Sequence, residues 1–413
     1  MKPLEYLNHT LMCDGVALAD IAAEAGTPCY MYSAKTILEN YRAYESAFGD
    51  TPHTVCYAMK ANGNLSILRL LAKEGAGFDI VSGGELYRVL KAGGDPAKIV
   101  FSGVGKTAAE IEAALQAGIF AFNCESEPEL ALLDSLAHRL GKKARVAIRV
   151  NPNVEAATHA YISTGGKAHK FGIDIDEAEA VYERARHLRN LSLEGVSCHI
   201  GSQLFDQQSL LKAVDRVLDL IAKLRAQGIA IKHADLGGGL GVSYTLGEAT
   251  PPVGEFIAQL RQRTAGQDLH VVVEPGRSIV ADAGVLITRV LYRKKTGEKE
   301  FVIVDAAMND LIRPALYDAH HEILPVRSRH AGNTMTADIV GPVCESGDFL
   351  AHDRSMQEVL PGDLLAVCTA GAYGFVQAST YNARPRPAEV LVENGAMRVI
   401  RNRETYEDLI RGE

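Results

Sequence analysis

Between residues 54 and 280 the chain repeats one pattern eight times: a short apolar run, a polar or glycine-rich stop, and a stretch with helical spacing. The apolar runs are TVCYAM (54–59), GFDIV (77–81), KIVFS (98–102), IFAFN (119–123), RVAIRV (145–150), LEGVSCHI (193–200), HADL (233–236) and HVVVE (270–274). Eight strand–helix pairs predict an α/β fold, a closed (β/α)8 barrel. The pattern alone leaves an open doubly wound sheet as the alternative.

The stretches between these runs have the apolar spacing of helices. In DEAEAVYERARHL, one apolar face is formed by Ala178, Val181, Ala185 and Leu188. The side chain of Asp174 or Asp176 is available as the N-cap of this helix. We therefore expect helices on the outside of the barrel.

From about residue 281 the alternation of strand and helix stops. VLITRVLYRKKTGEKEFVIVD and AEVLVENGAMRVI have the pattern of strands around tight turns, and Asn394-Gly395 is typical of a hairpin. We expect a barrel over residues 26–280 and a β-rich domain over 281–413. Residues 1–25 fit neither pattern and are expected to pack on the β-rich domain.

Composition restricts the class of protein. A net charge of −8 without a basic block argues against nucleic acid or an anionic membrane as partner. There is no apolar run of about 18 residues, and the N-terminus lacks the apolar core of a signal peptide. Seven scattered cysteines without a CxxC pair indicate reduced thiols rather than disulfides or a metal site. These features predict a cytoplasmic enzyme.

In a barrel of this kind the chemistry lies at the carboxyl ends of the strands. Polar residues and glycines collect at those positions and not at the opposite ends: Lys60, Asp79, Glu85, Asn123, Glu125, Asn151, His199, Gly237, Gly238, Gly239 and Glu274. This asymmetry predicts one site at that end of the barrel.

The site has the elements of a pyridoxal 5′-phosphate site. The glycines of DLGGGLG follow strand 7, where barrels of this kind usually bind phosphate, although a tight turn would also explain them. Strand 8 lies beside strand 1 in a closed barrel, so Glu274 and Lys60 share a neighbourhood. A lysine amine, a phosphate site and a carboxylate suit this cofactor. Taken singly, a Lys–Glu ion pair and a structural His199 are equally ordinary explanations.

The motifs YAMKAN, FDIVSGGE, CHIGSQ, GGGLG, EPGR and CESGD resemble those of the alanine-racemase-fold, type III, pyridoxal-phosphate-dependent decarboxylases, and within them the diaminopimelate decarboxylases. The resemblance implies that Lys60 carries the cofactor, His199 stacks on its ring, and Glu274 meets its pyridine nitrogen. It implies further cofactor contacts by Asp79, Ser202, Gly237, Gly238, Gly239, Gly276, Arg277 and Tyr373.

The same resemblance implies a homodimer with shared active sites, in which Cys344 and Glu345 of CESGD reach the cofactor of the other subunit. Thiols are mostly protonated at neutral pH, which suits Cys344 as the acid that delivers a proton to the substrate α-carbon. A small buried hydrophobe is the alternative for this cysteine. The substrate-binding set implied is Arg277, Arg313, Tyr317, Glu345 and Tyr373.

Two arginines and a glutamate suit a substrate whose far end carries a carboxylate and an ammonium. The expected reaction is decarboxylation of meso-2,6-diaminopimelate to L-lysine and CO2. Alternatives are a type III decarboxylase of ornithine, arginine or D-lysine, a fold-related racemase, and a non-catalytic carrier of the cofactor. One departure from the family pattern is His169, which precedes Lys-Phe-Gly in the loop 158–172, where a small residue is usual.

Overall fold

The computed structural model describes residues 3–154, 170–329 and 333–413. His169 and most of the loop expected at 158–172 lie outside the described residues. The chain forms two compact units. We call residues 41–242 and 250–278 the barrel unit, and residues 1–40, 243–249 and 279–413 the β-rich unit. The domain boundaries expected from the sequence, at residues 26 and 281, stay a prediction.

The barrel unit contains eight parallel strands in a closed ring, as predicted from the alternating pattern. They are His53–Ala58, Gly77–Ile80, Ile99–Phe101, Ala121–Cys124, Ala144–Asn151, Leu191–Cys198, His233–Asp235 and His270–Val273. Each strand pairs with the next, and the last pairs with the first through Val273 and Val55. A short strand, Ile173–Asp174, adds to the fifth. Closure excludes the open doubly wound sheet.

Helices follow the strands at Leu65–Lys73, Gly83–Ala92, Ala108–Ala117, Glu127–Arg139, Ile175–Ala185, Gln207–Ala226 and Val253–Thr264. Side-chain caps begin three of these helices: Ser82, Thr107 and Ser126 each accept from a backbone N–H three residues on. Asp174 is the N-cap of the helix expected after the fifth strand. That helix ends at Ala185, so Leu188 lies beyond it and does not extend its apolar face, which was a wrong expectation.

Two helices, Ala34–Phe48 and Arg277–Val280, contain residues assigned to both units. Turns of 3-10 helix occur at Met59–Ala61, Pro96–Lys98, Phe375–Gln377 and Tyr381–Ala383. The described residues of the β-rich unit form three further helices, Leu18–Ala25, Arg313–Tyr317 and Tyr406–Leu409. No helix in the described part of the chain is long and apolar enough to cross a membrane.

The strands described in the β-rich unit form two sheets. The smaller contains Leu4–Leu7, Thr10–Cys13 and Val16–Ala17. The larger contains Cys29–Ser33, Gly284–Thr296, Lys299–Val304, Ile323–Pro325, Thr334–Val340, Phe349–Gln357, Leu364–Val367, Ala388–Glu393 and Ala396–Arg401. The last two form the hairpin predicted at Asn394-Gly395, where both residues have positive φ. Apolar side chains that include Leu11, Ile21, Met31 and Ile287 form the core of this unit.

Candidate active site

Lys60 lies in the 3-10 turn that directly follows the first barrel strand. Its Nζ pairs with Oδ2 of Asp79, a fully buried carboxylate at the end of the second strand. About a third of the Lys60 side chain is exposed. Oδ1 of Asp79 is buried and has no hydrogen-bond partner among the described residues. The end of the first strand therefore carries a lysine amine paired with Asp79, and one oxygen of that carboxylate can accept a further hydrogen bond.

The ends of strands 7, 8 and 1 are fastened together by backbone hydrogen bonds. The N–H of Glu274 donates to the Gly237 carbonyl at 2.8 Å, and the N–H of Ala58 donates to the Pro275 carbonyl at 3.0 Å. Glu274, the triple glycine and the turn that carries Lys60 are thus brought to one end of the barrel. Their convergence on one cofactor stays a prediction.

Glu274 belongs to a buried polar network inside this end of the barrel. Its Oε1 accepts from Ser102 Oγ and Asn123 Nδ2, both at 3.3 Å. Asn123 Nδ2 also donates to Oδ2 of Asp235 at 2.8 Å, and Oδ1 of Asp235 accepts the Gly237 N–H at 3.0 Å. One amide group therefore holds two buried carboxyls in place.

Burial governs the protonation of this network. Burial, with the nearby carboxylates of Asp235 and Asp79, holds the pKa of Glu274 well above its usual range. Burial likewise raises the pKa of Asp235 to about 6. Burial therefore favours the protonated form of the Glu274 carboxyl, which could donate a hydrogen bond to a basic ring nitrogen placed beside it.

The triple glycine is required by packing. A Cβ at residue 238 would stand 2.8 Å from the Glu274 carbonyl carbon and closer still to its oxygen. A Cβ at residue 237 would lie 2.5 Å from the Cys198 carbonyl oxygen, and Gly237 and Gly239 have positive φ. The loop therefore needs glycine in order to pack against strands 6 and 8. A tight turn is enough to explain the three glycines, and their binding of a phosphate is proposed below.

His199, Ser202 and Arg277 lie around the same strand ends. The Nδ1 of His199 accepts the Gly238 N–H at 3.2 Å, which turns the ring's other nitrogen into the N–H donor while the ring is neutral. Burial, then the charges of Arg149 and Lys60, hold the pKa of His199 well below its usual range. Arg277 donates to Ser202 Oγ from Nη2 at 3.0 Å. Gly276 packs on Ala58, where a Cβ would lie 3.0 Å from the carbonyl oxygen.

These residues fit pyridoxal 5′-phosphate. Three groups lie at adjacent strand ends: the partly exposed amine of Lys60, the unsatisfied oxygen of Asp79, and the carboxyl of Glu274, whose raised pKa favours the form that donates a proton. Ser202 and Arg277 add a hydroxyl and a guanidinium. The cofactor has an aldehyde that reacts with an amine, a ring nitrogen that pairs with a carboxyl group, and a phosphate that binds hydroxyl and guanidinium groups.

In the β-rich unit, Cys344 and Glu345 occupy an exposed turn after the strand Thr334–Val340. Cys344 is exposed within this chain, so it does not act there as a small buried hydrophobic residue. Asn382 Oδ1 accepts the Cys344 N–H at 3.0 Å, and Tyr381 donates to Oε2 of Glu345 at 2.7 Å. Buried Asp348 caps the turn by accepting the N–H groups of Val343 and Met308 at 2.6 and 2.7 Å.

The other three residues expected to bind substrate or cofactor also lie in the β-rich unit. Arg313 and Tyr317 are the first and last residues of one helix, and Arg313 is buried. Tyr317 Oη accepts from Gln377 at 3.4 Å. Tyr373 has a φ of 56°, an uncommon backbone conformation for a tyrosine.

Sequence reasoning missed several residues that shape the site. Ser102 and Asp235 belong to the Glu274 network, and Asp348, Tyr381 and Asn382 hold the Cys344 turn. Two rim residues serve local structure instead: Glu125 accepts from Arg149 and from the N–H groups of Gly103 and Gly172, while Asn151 accepts from the N–H of Asn153. Of the Glu274 network, Asp235 could have been noticed in the sequence, because it begins the motif DLGGGLG.

Comparisons with known proteins show the family of this chain. Residues 34–281 match a family model described as pyridoxal-dependent decarboxylase, pyridoxal binding domain. The fold and the match define the class of protein, the pyridoxal-dependent decarboxylases.

Closer relatives narrow the class. A diaminopimelate decarboxylase of Pseudomonas aeruginosa is 56% identical over all of this chain and 99% of its own length. The crystal structure of diaminopimelate decarboxylase from Helicobacter pylori complexed with L-lysine is 45% identical, with a TM-score of 0.92 over 95% of this chain and 98% of that one. The M. jannaschii enzyme in co-complex with L-lysine is 40% identical, with a TM-score of 0.94 over 99% and 97%. The chain belongs to the diaminopimelate decarboxylase family.

Proposed function

We propose that this chain removes the D-centre carboxylate of meso-2,6-diaminopimelate as CO2 and releases L-lysine, with pyridoxal 5′-phosphate as its cofactor. Decarboxylation of this substrate follows from full-length relatedness of up to 56% identity to diaminopimelate decarboxylases. The observation that carries the cofactor assignment is the meeting of Lys60, Glu274 and the triple glycine at adjacent strand ends. Bound there, pyridoxal 5′-phosphate supplies a ring that accepts the electron pair left behind by departing CO2.

Lys60 is the residue that we propose holds the cofactor covalently. Asp79 lies against its amine and orients it. Glu274 would meet the ring nitrogen, and burial favours the protonated form of this carboxyl. His199 would cover the ring, with its orientation fixed by the Gly238 N–H. The glycine loop, Gly276, Ser202, Arg277 and Tyr373 would bind the phosphate end.

Cys344 is the acid that we propose returns a proton to the substrate α-carbon after CO2 leaves. Its thiol stands exposed on a turn held from three sides, so it is available to a site outside this chain's own β-rich unit. A homodimer in which this turn enters the barrel site of the partner subunit would use it in that way. Glu345 would enter with it, oriented by Tyr381.

Substrate choice depends on groups that recognise the far end of diaminopimelate. Arg313 and Arg277 can each bind a carboxylate, and Glu345 can bind an ammonium. Tyr317 and Tyr373 add hydroxyls. Lysine and ornithine carry no carboxylate at that end, so these arginines favour diaminopimelate. All seven cysteines are free, which supports a cytoplasmic location.

The test compares CO2 release from meso-diaminopimelate, ornithine, arginine and D-lysine by the purified protein supplied with pyridoxal 5′-phosphate. We expect turnover of meso-diaminopimelate and at most slow release from the other three. Faster release from one of those three would replace the proposed substrate. Racemisation without CO2 would instead indicate a racemase, and cofactor binding without either reaction would indicate a carrier.

A further inference from the structure

The Arg313 guanidinium contacts His321, a residue that the sequence analysis did not identify. Nη1 of Arg313 is 2.9 Å from Nε2 of His321, a fully buried residue eight positions further along the chain. The ring of Tyr244 lies under the guanidinium, 4.5 Å from Cζ, and meets the His321 ring edge to face. All three residues belong to the β-rich unit.

Contacts at both ring nitrogens of His321 determine its protonation state. A guanidinium can only donate, so Nε2 must be the acceptor and carries no proton. Nδ1 is 2.8 Å from the Cys368 carbonyl oxygen, which can only accept, so Nδ1 carries the proton. His321 is therefore a neutral imidazole in one tautomer, and its ring is held from both sides.

A neutral acceptor suits an arginine that must bind an anion. A carboxylate at the same place would pair with Arg313 and compete with a substrate carboxylate for the same charge. The imidazole nitrogen fixes the guanidinium while leaving its positive charge uncompensated by that contact. Tyr244 adds a cation–π contact, which restricts the guanidinium plane without adding negative charge.

We propose that His321 is a positioning residue for substrate recognition: it holds the Arg313 guanidinium in the orientation that binds the carboxylate retained in L-lysine. The inference rests on the proposed function, in which Arg313 binds that carboxylate. His321 touches neither substrate nor cofactor in this role. Its loss should therefore weaken binding of the carboxylate end while changing the chemical step much less.

Two substitutions separate the two hydrogen bonds of this ring. His321→Gln can place its amide oxygen near the position of Nε2 and keep the acceptor for Arg313. His321→Asn keeps only a donor near the position of Nδ1, for the Cys368 carbonyl. The matched control is His320→Asn, which removes the neighbouring, exposed histidine whose contacts are with Arg354 and Glu322.

Steady-state decarboxylation of meso-diaminopimelate by the holoenzymes gives kcat and KM. Inhibition constants for L-lysine and for cadaverine, which lacks the carboxylate, show how much of the product's affinity depends on that carboxylate. We expect His321→Asn to raise KM and the L-lysine inhibition constant about 10- to 100-fold, the size of losing a hydrogen bond to a charged group. The kcat and the cadaverine inhibition should change less than about threefold, and His321→Gln and His320→Asn should stay near wild type.

Equal effects of Asn and Gln at position 321, or equal weakening of L-lysine and cadaverine, would overturn the inference in favour of a merely structural role. An unchanged KM in His321→Asn would also overturn it. Failure of the proposed function is distinguishable, because the wild-type holoenzyme would then release no CO2 from meso-diaminopimelate. Arg313→Gln is the positive control, and an unchanged KM in that variant would contradict both the Arg313 assignment and the role of His321.

Discussion

Adding one methyl group at Gly238 should disturb the candidate site, because this residue packs directly on the backbone at the end of strand 8. The new Cβ would lie 2.8 Å from the Glu274 carbonyl carbon, where an ordinary contact begins at 3.4 Å. The Glu274 carbonyl oxygen is closer still, so the end of strand 8, which carries Glu274, would have to shift by about 1 Å or more. Overpacking of this kind typically costs about 1–3 kcal/mol. Gly238 has no positive φ, so steric contact is the only penalty.

Gly254→Ala is the matched control for Gly238→Ala. Gly254 lies in the first turn of the helix Val253–Thr264, and a Cβ there would meet open space. Both substitutions restrict the unfolded chain equally, an effect of about 0.4–1 kcal/mol in favour of the folded state. Their difference therefore isolates the clash.

Thermal unfolding of the two apoproteins and titration with pyridoxal 5′-phosphate form the assay. We expect Gly238→Ala to unfold several degrees below Gly254→Ala, since 1 kcal/mol corresponds to about 2–4 °C in domains of this size. We also expect weaker cofactor binding in Gly238→Ala alone. Equal melting temperatures and equal cofactor affinities would refute the argument that this loop is built on close backbone packing against strand 8.

Three further outcomes test the assigned roles. Cys344→Ala should keep the cofactor and lose about 10²- to 10⁴-fold in kcat, the usual range for a positioned acid; an unchanged kcat would remove Cys344 from the mechanism. Ser202→Ala should weaken cofactor binding and leave Arg277 without its hydroxyl partner, measured by spectrophotometric titration. Asp235 has a folded-state pKa raised to about 6, so the stability it contributes is present at low pH and is lost as the pH rises through about 6. The free energy of unfolding of apo Asp235→Asn should therefore fall less between about pH 4 and pH 6 than that of wild type, in urea titrations.

The barrel could be predicted from the sequence because its strands are buried on both faces. Parallel strands of this kind read as continuous apolar runs, and each run here ends at a polar residue or glycine where the strand ends. Lys60 and Glu274 were visible for the same reason: a charged group at the end of a buried strand needs a structural or chemical reason.

The network behind the site could not be predicted in the same way. Asn123 lies 112 positions from Asp235 and 151 positions from Glu274, so no local pattern connects the three. The contact between Arg313 and Tyr244 likewise crosses a long stretch of sequence. Such contacts depend on strand register and on how loops return to the same place, which composition and periodicity do not determine.

The most direct test of the central claim is to locate the covalently bound cofactor. The purified holoenzyme would be reduced with borohydride, digested with protease, and its peptides examined by mass spectrometry for a phosphopyridoxyl group. We predict one modified peptide, with the group on Lys60, and loss of that modification in Lys60→Ala. Modification of another residue, such as the buried Lys106, or of none, would contradict the account.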